Sequence, residues 1–189
     1  MLREEIMINS IPVGPVGIIP LKGCEKIADN INYYLTTWRR NRESEHKNSL
    51  ALYGYERDNY IIQAETPRFG SGEAKGVIRD SVRGMDVYIL VDVCNSSITY
   101  KMSGQMNRMS PDDHFADVKR IIAAICGKAS RISVIMPFLY EGRQHKRTAR
   151  ESLDCAMAIE ELYSMGVETI ITFDAHDPRV QNAIPLHGF

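Results

Sequence analysis

No two cysteines in this chain lie close enough in sequence to form a metal clip. Cys24, Cys94, Cys126 and Cys155 are far apart and no C-x-x-C pair occurs. That spacing excludes the usual zinc motifs and argues against a disulfide framework; buried thiols in a reducing compartment are the expectation. No apolar run approaches the roughly 20 residues of a membrane-spanning helix. The first residues, Met1-Leu-Arg-Glu-Glu-Ile6, carry acids and lack the apolar stretch of a secretory signal, so a cytoplasmic protein that does not enter membranes is expected. Formal net charge is only -1, which excludes bulk attraction to nucleic acid and makes any anion site a local one. Both main glycine-rich phosphate fingerprints, G-x-G-x-x-G and G-x-x-x-x-G-K-[ST], are missing. So is the G-x-S-x-G elbow of serine hydrolases, and no close carboxylate pair suggests glycosidase chemistry.

What is present suits one α/β domain. The 189 residues are 44% apolar and 25% charged, enough for a real core. Val16-Gly-Ile-Ile19 is a short apolar run. Residues 23–40 carry Ile27, Ile31, Tyr34, Leu35 and Trp38 on one helical face, and the charged stretch 39–47 follows as a solvated helix end and linker. Residues 60–64, 74–78 and 86–92 read as strands, the last apolar enough to be buried on both faces. The polar stretch 94–110, with Met102, Met106 and Met109, reads as a loop packing its methionines locally. Ser110-Pro-Asp-Asp113 opens a helix, with Ser as N-cap, Pro at N1 and acids in the first turn; its inward face is Phe115, Val118, Ile122 and Ile125. A strand over 131–136, a helix over about 152–165 with Leu153, Ala156, Met157, Ile159, Leu162 and Met165 as its apolar stripe, Gly166 at C′, and a strand over 167–173 complete the pattern. Such alternation predicts right-handed crossovers and a mostly parallel twisted sheet with helices on both faces.

Two strand-exit loops carry the chemistry. Met136 to Arg147 holds Arg143, Gln144, His145, Lys146 and Arg147 in succession. Beyond the carboxyl end of a parallel strand, guanidinium groups can grip a polyphosphate, although a solvated surface loop explains the cations equally well. Asp174-Ala-His-Asp-Pro-Arg179 places His176 between two carboxylates, which can fix its tautomer for a metal or a phosphate. The plainer reading is a capping turn, since Asp-x-x-Asp-Pro is common at helix starts. Phe69-Gly-Ser-Gly-Glu73 reads locally as a hairpin turn, and Asp80-Ser-Val-Arg-Gly84 as a turn that offers a hydroxyl and a guanidinium.

Taken in order, Phe69 to Glu73, Ser81-Val-Arg-Gly-x-Asp-Val-Tyr88, the loop from Pro137 ending in Arg143-Gln144, and Thr172-Phe-Asp-Ala-His176 resemble ribose-phosphate pyrophosphokinase, also called phosphoribosyl pyrophosphate synthetase. The resemblance runs from about residue 65 to the end. It implies a phosphoribosyltransferase-like N-terminal domain over 1–189, with the ribose-phosphate-binding second domain outside this chain. It implies that Phe69, Ser71 and Glu73 contact the ATP adenine from a neighbouring subunit, in a homo-oligomer with a shared site. Arg143 and Gln144 would bind ATP phosphate and ribose. Arg143 and His176 would be the catalytic groups, His176 would help hold Mg2+, and Ser81 and Arg83 would belong to a regulatory phosphate site. The implied reaction moves the diphosphoryl group of Mg-ATP to the 1-hydroxyl of ribose 5-phosphate, releasing AMP, with this chain supplying the ATP half. Ser71, His145, Ala175 and Asp177 depart from the family pattern, as does the stretch 94–110, and mark a divergent branch. Ser71, His145 and Asp177 motivate an alternative, a non-catalytic regulatory subunit on the same fold. A phosphoribosyltransferase lacks support, because its signature is absent.

Overall fold

β-branched runs, each bounded by turn residues, become the strands of one sheet. The structure is a computed structural model that describes residues 13–44 and 57–184. β1 (Val16–Pro20) leads into α1 (Glu25–Ser44), then β2 (Ala64–Glu65) and β3 (Val77–Ile78), a minimal antiparallel pair. β4 (Asp86–Leu90), a hairpin of β5 (Thr99–Met102) and β6 (Gln105–Arg108), α2 (Pro111–Ile125), β7 (Arg131–Ile135), α3 (Asp154–Ser164) and β8 (Thr169–Ile171) follow, with a final 3-10 turn at Pro178–Ala183. The main sheet has the order β1-β4-β7-β8 and every pairing in it is parallel, as the alternation predicts. The N-terminal hexapeptide, the end of the charged linker and the last five residues lie outside the described residues.

Alternate residues of each strand serve opposite faces. Ile19, Val87, Ile89, Val134 and Ile170 belong to the larger core with Phe115, Val118, Ile121 and Ile125 of α2 and Ile159 and Leu162 of α3. Ile18 and Leu90 face the other way, into a smaller core with Cys24 and Ala28 at the start of α1. Helices therefore cover both faces, and each large aliphatic side chain so buried contributes about 1.5–3 kcal/mol.

The start of α2 is as expected. The Ser110 hydroxyl accepts from the Asp113 N–H (3.1 Å), and the Asp113 carboxylate accepts from the Ser110 N–H (3.0 Å), a reciprocal capping box. Other expectations are corrected. Residues 60–62 join the sheet as an edge, through Ile18 N–H to Tyr60 O and Ile62 N–H to Ile18 O, but only Ala64–Glu65 and Val77–Ile78 form the second strand pair. The stretch 94–110 is not a plain loop: it contains the β5–β6 hairpin, whose two turn residues, Ser103 and Gly104, both have positive φ (50° and 86°). A Ser-Gly dipeptide between two short alternations was the legible signal for it.

On α1, Ile31 and Leu35 pack against the smaller core as expected, whereas Ile27, Tyr34 and Trp38 are exposed and Ala28 and Thr36 are buried in their place. Met157 of α3 is likewise exposed, its place in the core taken by Cys155 and Ala158. Of the cysteines expected inside, Cys24 and Cys155 are buried, whereas Cys94 and Cys126 are exposed.

Candidate functional site

Because the main sheet is wholly parallel, the segments leaving β4, β7 and β8 open on one edge. β7 and β8 are immediate neighbours, so the Arg143 loop and the His176 loop start side by side. Their backbones continue to pair past the strand ends. Phe138 and Asp174 form a parallel bridge, with Asp174 N–H donating to Pro137 O (3.0 Å) and Leu139 N–H to Asp174 O (3.2 Å).

Further out, the first loop closes on itself. Gln144 donates from its side-chain amide to Ser152 O (2.7 Å), its N–H donates to Glu141 O (2.8 Å), and its carbonyl accepts from Cys155 N–H (3.3 Å). Glu141 takes a positive φ of 55° within this closure. Burial, then Asp154 and Asp112, push the Glu141 carboxyl up from its ordinary value. Tyr140 stacks on Phe115 (centroids 4.3 Å) and donates to Asp112 (2.7 Å), which fastens the loop to the first turn of α2. Arg143 itself is exposed. Its charge reaches the loop after β4: burial and then Asp92 push the Cys94 thiol up, and Arg143 acts in the opposite direction.

In the second loop His176 is exposed, with a φ of 52°, and its backbone N–H donates to Asp174 Oδ1 (3.1 Å). The two flanking carboxylates do not hold its ring. Asp177 faces His145 instead, Oδ2 to Nε2 at 3.3 Å, and the His145 and His176 rings lie 5.3 Å apart. Two positions read from the sequence as departures from the family motifs are thus partners of each other. Asp177 also caps the turn at Pro178–Ala183 by accepting from Arg179 N–H (2.8 Å), so the capping reading of this loop holds as well. Arg179 pairs with the carboxylate through Nε and Nη2 and holds it well below the usual carboxylate range.

The other expected site residues lie elsewhere. Phe69 to Glu73 is the hairpin turn that its glycines suggest, closed by Phe69 N–H to Glu73 O (2.7 Å), with Phe69 exposed. Ser71 donates to Glu73 (2.8 Å), and Ser103 N–H to Gly70 O ties the turn to the β5–β6 hairpin. Among the described residues, no hydrogen bond or ion pair joins this turn to Arg143 or His176. Ser81 and Arg83 are exposed at the amino end of β4, on the opposite sheet edge, with Arg83 N–H 3.5 Å from Ser81 Oγ. Roughly 17 Å of strand separates that turn from the carboxyl-end rim. A cleft of about 450 Å3, lined by Pro20, Lys22, Glu25, Asp29, Gln63 and Thr66, contains none of the expected site residues.

Among the described residues no three His, Cys, Asp or Glu side chains come together to hold a metal. His176 offers one nitrogen, whereas Mg2+ prefers oxygens and keeps several waters. The residues present therefore fit an ion carried largely by a ligand's phosphates and do not fit a protein cage. Among the described residues no helix is long and apolar enough to cross a membrane.

Comparison with known proteins bears on this arrangement. Residues 17–166 match the family model described as the N-terminal domain of ribose phosphate pyrophosphokinase. The chain is 26% identical over 123 residues to ribose-phosphate pyrophosphokinase B of Dictyostelium discoideum, covering 64% of this chain and 33% of that protein. It is 33% identical over 116 residues to ribose-phosphate pyrophosphokinase 1 of Schizosaccharomyces pombe, covering 60% and 25%. The chain thus spans a third or less of the length of these relatives. A crystal structure of phosphoribosylpyrophosphate synthetase from Mycobacterium smegmatis superposes with a TM-score of 0.64 at 19% identity, over 89% of this chain and 45% of that one, and so shares its fold. The parallel sheet, its loop edge and the extent of the family match lead to one conclusion: the chain belongs to the family of the N-terminal domain of ribose-phosphate pyrophosphokinase.

Proposed function

We propose that this chain is the ATP-binding half of a ribose-phosphate diphosphokinase. The single observation that carries the reading is the adjacency of β7 and β8, which sets the exposed Arg143 and His176 loops side by side on one rim. There Arg143 grips phosphate oxygens with paired guanidinium donors, and His176 contacts the same phosphate chain. Mg2+, bound through those phosphates, would neutralise their charge. In the reaction, the 1-hydroxyl of ribose 5-phosphate attacks the β-phosphorus, and the bond to the α-phosphate oxygen breaks to release AMP. This chain's part is to position the nucleotide and offset charge that grows on phosphate oxygens. The sugar-binding part belongs to the length of the relatives that this chain does not cover, in a second domain. Phe69, Ser71 and Glu73 would meet the adenine of a neighbouring protomer in a homo-oligomer, and Ser81 and Arg83, at the far sheet edge, would form a separate regulatory phosphate site. The setting would be cytoplasmic.

One observation favours the second reading, a non-catalytic regulatory subunit. Ser71 and Glu73, two residues assigned to adenine contact, hydrogen-bond to each other. Calorimetric titration of the 189-residue chain with ATP, with and without Mg2+, decides between them. Saturable binding that strengthens with Mg2+ supports the ATP-half reading. No binding, together with co-purification with an active synthetase, supports the regulatory one.

A further inference from the structure

We propose that His145 is a positioning residue that works through Asp177: together they tie the Arg143–Gln144 loop to the His176 loop and fix the spacing of Arg143 and His176. The inference rests on the reading of Arg143 and His176 as groups that meet one phosphate chain. Its basis is the geometry of two ties. Near the strand ends the loops are joined by the Phe138–Asp174 bridge. Beyond it they separate in sequence, and they meet again where His145 Nε2 reaches Asp177 Oδ2 at 3.3 Å. Arg143 and Gln144 lie between the two ties on one loop, and His176 lies between them on the other. Both exposed functional candidates therefore sit on spans anchored at each end.

The second tie is built on fixed partners. Asp177 takes Nε and Nη2 of Arg179 at 2.9 and 2.5 Å and caps the turn at Pro178–Ala183, and Val180 of that turn is buried in the main core. On the other side, His145 Nδ1 lies 3.3 Å from Gly142 O, within the turn that closes the first loop. The His145 and Asp177 side chains are only 9% and 16% exposed, so water competes weakly for the contact. The His145 ring also lies against that of His176 (59° between planes), which sets a wall beside the exposed imidazole. A capping role alone would need Asp177 and Arg179 but not His145.

The test uses the 189-residue chain with His145→Ala, Asp177→Ala, the double variant, and His145→Gln, which keeps an N–H donor near the imidazole Nε2. Hydrogen exchange followed by mass spectrometry reads residues 174–180, and Mg-ATP affinity is read by calorimetry. In His145→Ala, exchange in 174–180 quickens although the substitution lies on the other loop. Mg-ATP binding weakens roughly five- to tenfold in each single variant, the double variant loses no more than the worse single, and His145→Gln stays near wild type, as coupling between touching residues requires. Unchanged exchange in 174–180 would overturn the tie, whatever the nucleotide result. Faster exchange with unaltered Mg-ATP affinity would overturn the positioning role. If wild-type chain binds no Mg-ATP yet the exchange effect crosses the loops, the tie stands and only the nucleotide reading falls.

Discussion

Arg68 Nη2 lies 3.0 Å from Asp117 Oδ2, with the two side chains 9% and 4% exposed. Asp117 also receives the Thr66 hydroxyl (2.9 Å) and Arg120 (2.5 Å), so one buried carboxylate gathers the segment before the Phe69 turn onto α2. Removing it leaves the Arg68 guanidinium buried without its main counter-charge, a loss of the kind that costs about 3–5 kcal/mol. Asp117→Ala should therefore lower the unfolding free energy by that amount in urea denaturation. A loss under about 1 kcal/mol would show that water or Asp113, 3.6 Å from Arg68, replaces the partner.

Gly76 illustrates a requirement of close approach. A Cβ at that position would lie 2.3 Å from the carbonyl oxygen of Arg120, part of the α2 backbone. Gly76→Ala forces the β3 segment off the helix and should destabilise the fold by about 1–3 kcal/mol. Thermal unfolding of the variant beside Gly84→Ala checks it: Gly84 has open space around it but a φ of 70°, so its cost is backbone strain alone.

The cysteines should sort by burial. Burial pushes the Cys24 and Cys155 thiols from 9.0 up to about 11, whereas Cys126 is exposed. At pH 8 a maleimide should label Cys126, and Cys94 more slowly, and leave Cys24 and Cys155 unmodified in native protein, as read by peptide mass spectrometry. The linkage has a definite sign. Between pH 9 and about 11 the folded chain keeps thiol protons that the unfolded chain has lost. These groups therefore contribute stability below pH 9 that disappears as pH rises to about 11. Cys24→Ala and Cys155→Ala variants should show a shallower alkaline loss of stability. An unchanged alkaline limb would refute the assignment.

For the rim, Arg143→Ala should weaken Mg-ATP binding roughly ten- to hundredfold, the effect of removing a charge-assisted hydrogen bond worth about 1.5–3 kcal/mol. His176→Ala should reduce the gain in affinity that Mg2+ provides. Both side chains are exposed, so neither variant should shift the unfolding midpoint appreciably. Wild-type binding by both variants would remove these residues from the site.

Much of this protein is legible in its sequence through local physics. The apolar run from Val87 to Val91 requires a strand buried on both faces, Ser110-Pro-Asp-Asp113 requires a capped helix start, and alternation of strands and helices requires a parallel sheet with its loops on one edge. Periodicity does not decide which apolar stripe of a helix faces inward. The spacing of Ile27, Tyr34 and Trp38 is as helical as that of Ala28, Ile31 and Leu35, and only the packing of α1 on Ile18 and Leu90 selects the second set. The site divides in the same way. Arg143 and His176 stand out by residue type and loop position, because charge and strand-exit context are properties of the chain itself. That His145 and Asp177 meet is a tertiary fact: the residues are far apart in sequence, and only the adjacency of β7 and β8 turns the carboxylate beside His176 toward a different histidine.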